Sequence, residues 1–367
     1  MAEQPERPLQ IRLLREAGGL GDIICSFPAL KFLHETYARD GLTARAVAML
    51  DPTGSKGLLV GEPCELFLYG MGIYKDIWEM AGIPFTWRNQ GHNGVSRRAR
   101  WKDPCEHYME DPNDFALSVD LWCPFWPHEV DPRPGYPIHS RLELACFAAG
   151  MERDEVTAPQ LTPPQDAMEW AEQWLRFNGW HGEPLVLIFP HCQGPARIWP
   201  NDRWAEVGRR LWREDGCRVM VLSDRIWKLN WFGEHAPEFA RVRQREWTKL
   251  AALIKTASLT LSGDTGPFHL AAALGAQCLG LFGMTSGAIT ARDYPTAQYI
   301  QGGEGRELLA SRPGTTCVAP CYHRWHDGFG GDLCKEQGCQ SLLRIQPAEV
   351  FSKARHILKE TYLCEQH

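Results

Sequence analysis

The run Gly263-Asp264-Thr265-Gly266-Pro267, followed by Phe268-His269, has the make-up of a tight turn entering a helix. Such a turn presents unpaired backbone N–H groups and the positive end of the helix dipole, a ready setting for phosphate. Thr265 adds a hydroxyl, Pro267 suits the first helical turn, and His269 falls near the same end. The plainer alternative is a helix start capped by Asp264. Neither a GxGxxG dinucleotide fingerprint nor a Walker A loop occurs, since Gly54-Ser55-Lys56 lacks the required spacing.

Three other segments offer chemistry. In Gly18-Gly19-Leu20-Gly21-Asp22 the glycines allow close backbone approach, and Asp22 is either a general base or a helix cap. Arg197-Ile198-Trp199-Pro200 puts a cation just after a strand end, where ligands gather in α/β sheets; a solvated surface arginine is the ordinary alternative. Between Ala81 and Lys102 there is no acidic residue, but Arg88, Arg97, Arg98, Arg100 and Lys102 are flanked by Trp87 and Trp101. A basic loop with aromatic ends suits an anionic acceptor such as an acidic glycan, or a nucleic acid, unless it is simply a solvated charged face.

Thirteen cysteines in a chain with no apparent leader do not read as a disulfide scaffold, and nine of them, from Cys25 to Cys364, read as buried thiols. The remaining four form Cys317-x₃-Cys321-x₁₂-Cys334-x₄-Cys339, two close pairs that suffice for a tetrahedral site holding structural zinc or iron. His323 or His326 can replace one sulfur. Reduced or disulfide-paired cysteines without metal are the competing reading.

The elements that must position these residues alternate as strands and helices, an α/β pattern with parallel strands expected. Leu9–Leu14 reads as a strand, with a helix to about Arg39 in which Pro28 makes a kink or a turn. Strand-like runs follow at Ala44–Leu50 and Leu117–Trp122. Pro184–Pro190 is a continuous apolar run, as in a strand buried on both faces. Helices are predicted over Gln165–Asn178, Asn201–Glu214, Trp247–Lys255 and Phe268–Leu274, the last closed by Gly275. Strands are predicted at Cys217–Leu222, Leu259–Ser262 and Gln277–Phe282. The chain ends in a helix from Pro347 to about Tyr362 whose apolar face carries Val350, Phe351, Ala354, Ile357 and Leu358.

Composition sets the bounds. With 367 residues, 44% hydrophobic and 23% charged, two ordinary domains fit and disorder does not. A net charge of −6 argues against a surface that grips nucleic acid throughout. Fifteen tryptophans are numerous; most should pack cores, although such rings also serve carbohydrate- or ligand-stacking surfaces. Met1–Gln10 has no apolar stretch, so no secretory signal is expected. The uncharged run beginning at Thr265 splits into a helix and a strand rather than a membrane span.

Taken together, the sequence resembles glycosyltransferase family 9, the ADP-heptose:lipopolysaccharide heptosyltransferases. The resemblance rests on Leu14–Asp22 with Phe27–Leu30, on Arg197–Pro200 with Arg203-Trp204, on Gly263–Gly275, on Leu281–Thr285 and on the cysteine segment. It implies the GT-B fold: two Rossmann-like domains facing a central cleft, an acceptor domain over residues 1–164 and a nucleotide-sugar domain over 165–346 that includes the cysteine segment 317–339. Residues 347–367 would form a helix packing back across the junction. It also implies an inverting, metal-independent transfer from a nucleotide sugar such as ADP-heptose, in lipopolysaccharide biosynthesis, in the cytoplasm or at the inner membrane face. Asp22 matches the catalytic base, and Gly21, Arg197, Asp264, Thr265, Gly266 and His269 match donor-site positions. Arg197 stands where the family often has lysine; it keeps the charge as a planar fork. Residues 52–115 look unlike the family, so the acceptor is open between an anionic glycan bound through Arg97, Arg98 and Arg100, a protein and a nucleic acid. The competing readings are a GT-B-fold epimerase or phosphorylase and a non-catalytic sugar-nucleotide-binding protein; Asp22 beside its glycine turn favours transfer.

Overall fold

The computed structural model describes residues 9–15, 20–38, 64–70, 75–82, 86–89, 117–120, 139–192, 195–303, 307–309, 316–318 and 338–365. The chain divides into two compact units: Met1–Glu129 with Arg141–Pro159, and Val130–Ser140 with Gln160–His367.

The first unit contains β1 (Leu9–Arg15), α1 (Leu20–Ile24), α2 (Phe27–Ala38), β2 (Cys64–Gly70), α3 (Lys75–Met80), β3 (Thr86–Asn89), β4 (Leu117–Asp120) and α4 (Arg141–Ala148). Its four strands are parallel, in the order β3-β2-β1-β4. The predicted first helix is interrupted: α1 stops at Ile24, the Ser26 hydroxyl donates to the Ile23 carbonyl at 2.6 Å, and α2 starts one residue before Pro28. Proline is tolerated there because a first-turn N–H has no intrahelical partner. Ile23, Ile24, Phe27, Leu30 and Leu33 are buried, so the two short helices share one apolar face. The predicted strand Ala44–Leu50 lies outside the described residues.

The second unit runs α5 (Gln165–Phe177), β5 (Leu185–Phe189), α6 (Asn201–Asp215), β6 (Arg218–Ser223), α7 (Asn230–His235), β7 (Ala240–Arg243), α8 (Trp247–Thr256), β8 (Leu259–Gly263), α9 (Gly266–Ala273), β9 (Cys278–Phe282), α10 (Gly287–Ala291) and β10 (Ala297–Gln301). After the small antiparallel pair β11 (Glu307–Leu309) and β12 (Thr316–Val318) come α11 (Gln340–Leu343) and α12 (Pro347–Glu365). Six parallel strands lie in the order β10-β9-β8-β5-β6-β7. Counted within the unit, that is 3-2-1-4-5-6 read from the other edge, the doubly wound order whose switch point falls between the first and fourth strands, β5 and β8. Every residue of β5, β8 and β9 is buried, which is why these strands read as unbroken apolar runs.

Local signals end the helices. Gly216 and Gly275, at φ 67° and 65°, close α6 and α9 in the left-handed region where a Cβ is strained. Lys255 Nζ donates to the Leu274 carbonyl at 2.8 Å beside the second of these. Helix α12 buries Val350, Phe351, Ala354, Ile357 and Leu358 and packs on α6. There the Arg210 guanidinium sits 3.8 Å above the Phe351 ring and Arg355 meets Asp215 at 2.8 Å.

Candidate active site

The carboxyl end of β8 delivers Gly263 and Asp264 to the mouth of α9, at the switch point where α/β sheets take ligands. Asp264 is not a helix cap: Thr265 holds that position, and the Asp264 carboxylate instead accepts a hydrogen bond from the Thr285 hydroxyl at 2.8 Å. Arg197 approaches from the loop after β5. Its Nη1 donates to the Asp264 carbonyl at 3.0 Å and lies 3.7 Å from the carboxylate. The two side chains are only 16% and 13% exposed, so Arg197 is not the solvated surface arginine that sequence left possible. Gly263 permits this approach, because a Cβ there would lie 3.2 Å from the Arg197 carbonyl.

Thr265, nearly buried, shares a 2.8 Å hydrogen bond with Ser262, which fixes the turn from strand to helix. Gly266 opens α9, and His269 sits one turn in, its Nδ1 3.2 Å from the Tyr294 hydroxyl. Arg197, Asp264, Thr265, Gly266 and His269 therefore gather at the start of one helix.

The neighbouring tryptophans explain how Arg197 is held. Trp199 and Trp204 are buried edge to face with ring centres 4.8 Å apart. Trp199 Nε1 donates to the Ile345 carbonyl at 3.2 Å, and Arg203 donates to the carbonyls of Leu343 and Ile345 at 2.5 and 2.9 Å. The loop that carries Arg197 is thereby fastened to the end of α11.

Beside this cluster, at the end of β5, stand His191 and Cys192. Burial pushes the Cys192 thiol up to about 12, opposed by Arg197 and by Lys228 and reinforced by Asp264, so it stays protonated. Burial, then the Lys228 charge, pushes His191 down to about 4 against the pull of Asp224, so its imidazole is neutral near pH 7.

In the first unit, Gly21 is buried within α1 and the Asp22 carboxylate accepts a 2.8 Å hydrogen bond from Arg141 Nη1. Arg141 was missed by sequence reasoning, as were Ser262, Tyr294, His191 and Lys228; Thr285 appeared only as the end of a motif. Arg97, Arg98, Arg100, Cys321 and Cys334 lie outside the described residues. Cys317 is in β12, and Cys339 is buried at the start of α11, against which β12 lies. Among the described residues no group of three or more metal-ligating side chains assembles.

Residues 141–307 match the family model of glycosyltransferase family 9 (heptosyltransferase), a stretch that carries Arg197 and the whole 263–269 turn. That stretch is similar to the glycosyltransferases of family 9. The chain's fold is shared with Escherichia coli ADP-heptose lipopolysaccharide heptosyltransferase II, at 15% identity over 96% of this chain and 99% of that one, with a TM-score of 0.59. A family 9 glycosyltransferase from Veillonella parvula matches at 14% identity over 96% and 98%, with a TM-score of 0.63. The iron-containing dodecameric glycosyltransferase TibC of enterotoxigenic Escherichia coli matches at 13% over 97% and 77%, with a TM-score of 0.55. No curated protein sequence matches the chain. The fold of this chain is accordingly GT-B, as its doubly wound second unit leads one to expect.

Proposed function

We propose that this protein is a family 9 glycosyltransferase that moves a heptose-like sugar from a nucleoside-diphosphate donor, ADP-heptose foremost, to an acceptor hydroxyl with inversion and without a catalytic metal. The observation that carries the reading is the Arg197–Asp264–Thr285 cluster set before the N-terminus of α9 at the switch point. The donor diphosphate rests on the N–H groups of Thr265 and Gly266. Arg197 offsets the charge that grows on the leaving diphosphate as its bond to the anomeric carbon breaks. His269, oriented by Tyr294, lines the sugar side. Asp22 accepts the proton of the attacking acceptor hydroxyl, with Arg141 fixing which oxygen is presented.

The acceptor on this reading is an anionic glycan met by the basic stretch that includes Arg97, Arg98 and Arg100, and the enzyme works in the cytoplasm, touching the inner membrane face peripherally. Among the described residues no helix is long and apolar enough to cross a membrane. The cysteine segment fits a structural zinc or iron ion, because two of its four cysteines lie on adjoining elements and Cys339 is buried. Such an ion would brace the cysteine segment by thiolate ligation, a structural role separate from the transfer chemistry. The deciding experiment is a transfer assay with ADP-heptose and an acidic-glycan extract. Nucleoside diphosphate released only with acceptor present supports transfer; epimerised donor, or none consumed, refutes it.

A further inference from the structure

A diphosphate seated at α9 leaves its nucleoside two directions along the carboxyl edge of the sheet. Toward β9 the way is filled: Gly283, Met284, Thr285, Ser286 and Gly287 are all buried, and Gln301 bonds the backbone of Phe282, Gly283 and Gly287. Toward β5 and β6 lies the turn Asp224-Arg225-Ile226-Trp227-Lys228, and there Trp227 is 60% exposed although it is among the largest apolar side chains in the unit.

The turn leans toward the switch point. Lys228, paired with Asp224 at 3.2 Å, acts electrostatically on both His191 and Cys192 at the end of β5, and its Nζ is 5.9 Å from the centre of the Trp227 ring. The buried Nδ1 of His191 has no hydrogen-bond partner, and that ring stands edge-on to Phe232 of α7. The end of β6 is two strand spacings from that of β8, about 10 Å, a reach comparable with a ribose diphosphate. An exposed indole at that reach, with a cation over one side of its ring, is suited to stacking on a base through the other, since every nucleobase has a π-face.

We infer that Trp227 is the platform on which the nucleobase of the donor stacks, with Lys228 holding the turn against the phosphate end. The inference rests on the donor reading above and names its nucleoside side. Because a bare ring reads no base edge, purines bind better than pyrimidines by stacking area alone.

The test is calorimetric titration of the full chain with ADP, UDP and inorganic pyrophosphate, for the wild type, Trp227→Ala and Trp227→Phe. Trp227→Ala should weaken ADP about 10-fold and leave pyrophosphate unchanged, and Trp227→Phe should bind ADP within about 3-fold of wild type. The exposed position lets both variants fold, which unchanged melting temperatures verify. ADP binding untouched by Trp227→Ala overturns the platform while the phosphate site stands. Equal losses for ADP and pyrophosphate overturn it too, by making Trp227 a support of the phosphate turn. A wild type that binds pyrophosphate but no nucleotide removes the platform alone, and one that binds neither removes the donor reading with it.

Discussion

Arg197 has two partners in prospect, Asp264 and the donor, and removing it separates their energies. In Arg197→Met the Asp264 carboxylate loses a guanidinium 3.7 Å away and its carbonyl loses a 3.0 Å hydrogen bond, but the Thr285 hydroxyl remains at 2.8 Å. Stripping one partner from a fully buried pair costs about 3–5 kcal/mol. Here the pair is 13–16% exposed and a second donor survives, so about 2 kcal/mol is expected. For a unit of this size that lowers the melting temperature by roughly 4–8 °C. Turnover should fall about 10²-fold or more, the scale of losing one charge-stabilising donor at a leaving group.

The double variant Arg197→Met with Asp264→Asn then decides between roles. The neutral amide can still accept from Thr285, so most of the lost stability should return. Turnover should stay near that of the single variant, because the leaving group still lacks its cation. Calorimetry and steady-state donor turnover on the three proteins supply the data. If the double variant regains turnover to within about 3-fold of wild type, Arg197 serves only to neutralise Asp264 and has no part in the chemistry.

Four further outcomes follow from other contacts. Asp22→Asn should lose roughly 10²–10⁴-fold in turnover while binding donor normally, and full activity would reduce Asp22 to a helix residue. Arg141→Met, which removes the 2.8 Å donor to the Asp22 carboxylate, should lower kcat about 10-fold with little change in donor KM; an unchanged kcat would deny the arginine its positioning role. Protein purified without chelator should contain close to one equivalent of zinc plus iron, and Cys321→Ser and Cys334→Ser should each lower metal content and melting temperature together; less than about a tenth of an equivalent rejects the site. Because the folded-state value of His191 near 4 lies below its ordinary 6.5, the unfolded chain takes up that proton first on acidification; the stability tied to neutral His191 is complete above about pH 6.5 and is lost as pH falls toward 4. Allowing for solvent screening, about 1 kcal/mol should disappear by pH 5, and His191→Gln should flatten that part of the melting profile.

What could be read from the sequence was local. The doubly buried runs of β5, β8 and β9, the glycines after α6 and α9, and Pro267 in the first turn of α9 each act within a few residues, so their spacing was enough. The short edge strand β7 was missed because Ala-Arg-Val-Arg buries fully only Val242 and carries two exposed arginines, too little apolar signal for a strand assignment. The pairings that give the site its geometry were out of reach. Arg141 and Asp22 are 119 residues apart, Thr285 and Asp264 are 21 apart, and Arg203 meets carbonyls 140 and 142 residues away.

That contrast bears on what the Arg197–Trp204 segment does. Arg197 faces the ligand end of β8, but the next residues turn away from it: Trp199 and Trp204 bury into the core, and Trp199 and Arg203 donate to the carbonyls that end α11. The same α11 fixes Ser341 against the carbonyl of Gly283, two residues before Thr285, so one short helix braces the loops on both sides of Asp264. Cys339 packs into the same place: a Cβ on Gly283 would lie 2.9 Å from its Sγ. The arginine and the threonine that hold Asp264 are thus both positioned from the C-terminal segment. This is why chemistry read from residues 263–269 alone accounts for the phosphate turn but not for the charges arranged around it.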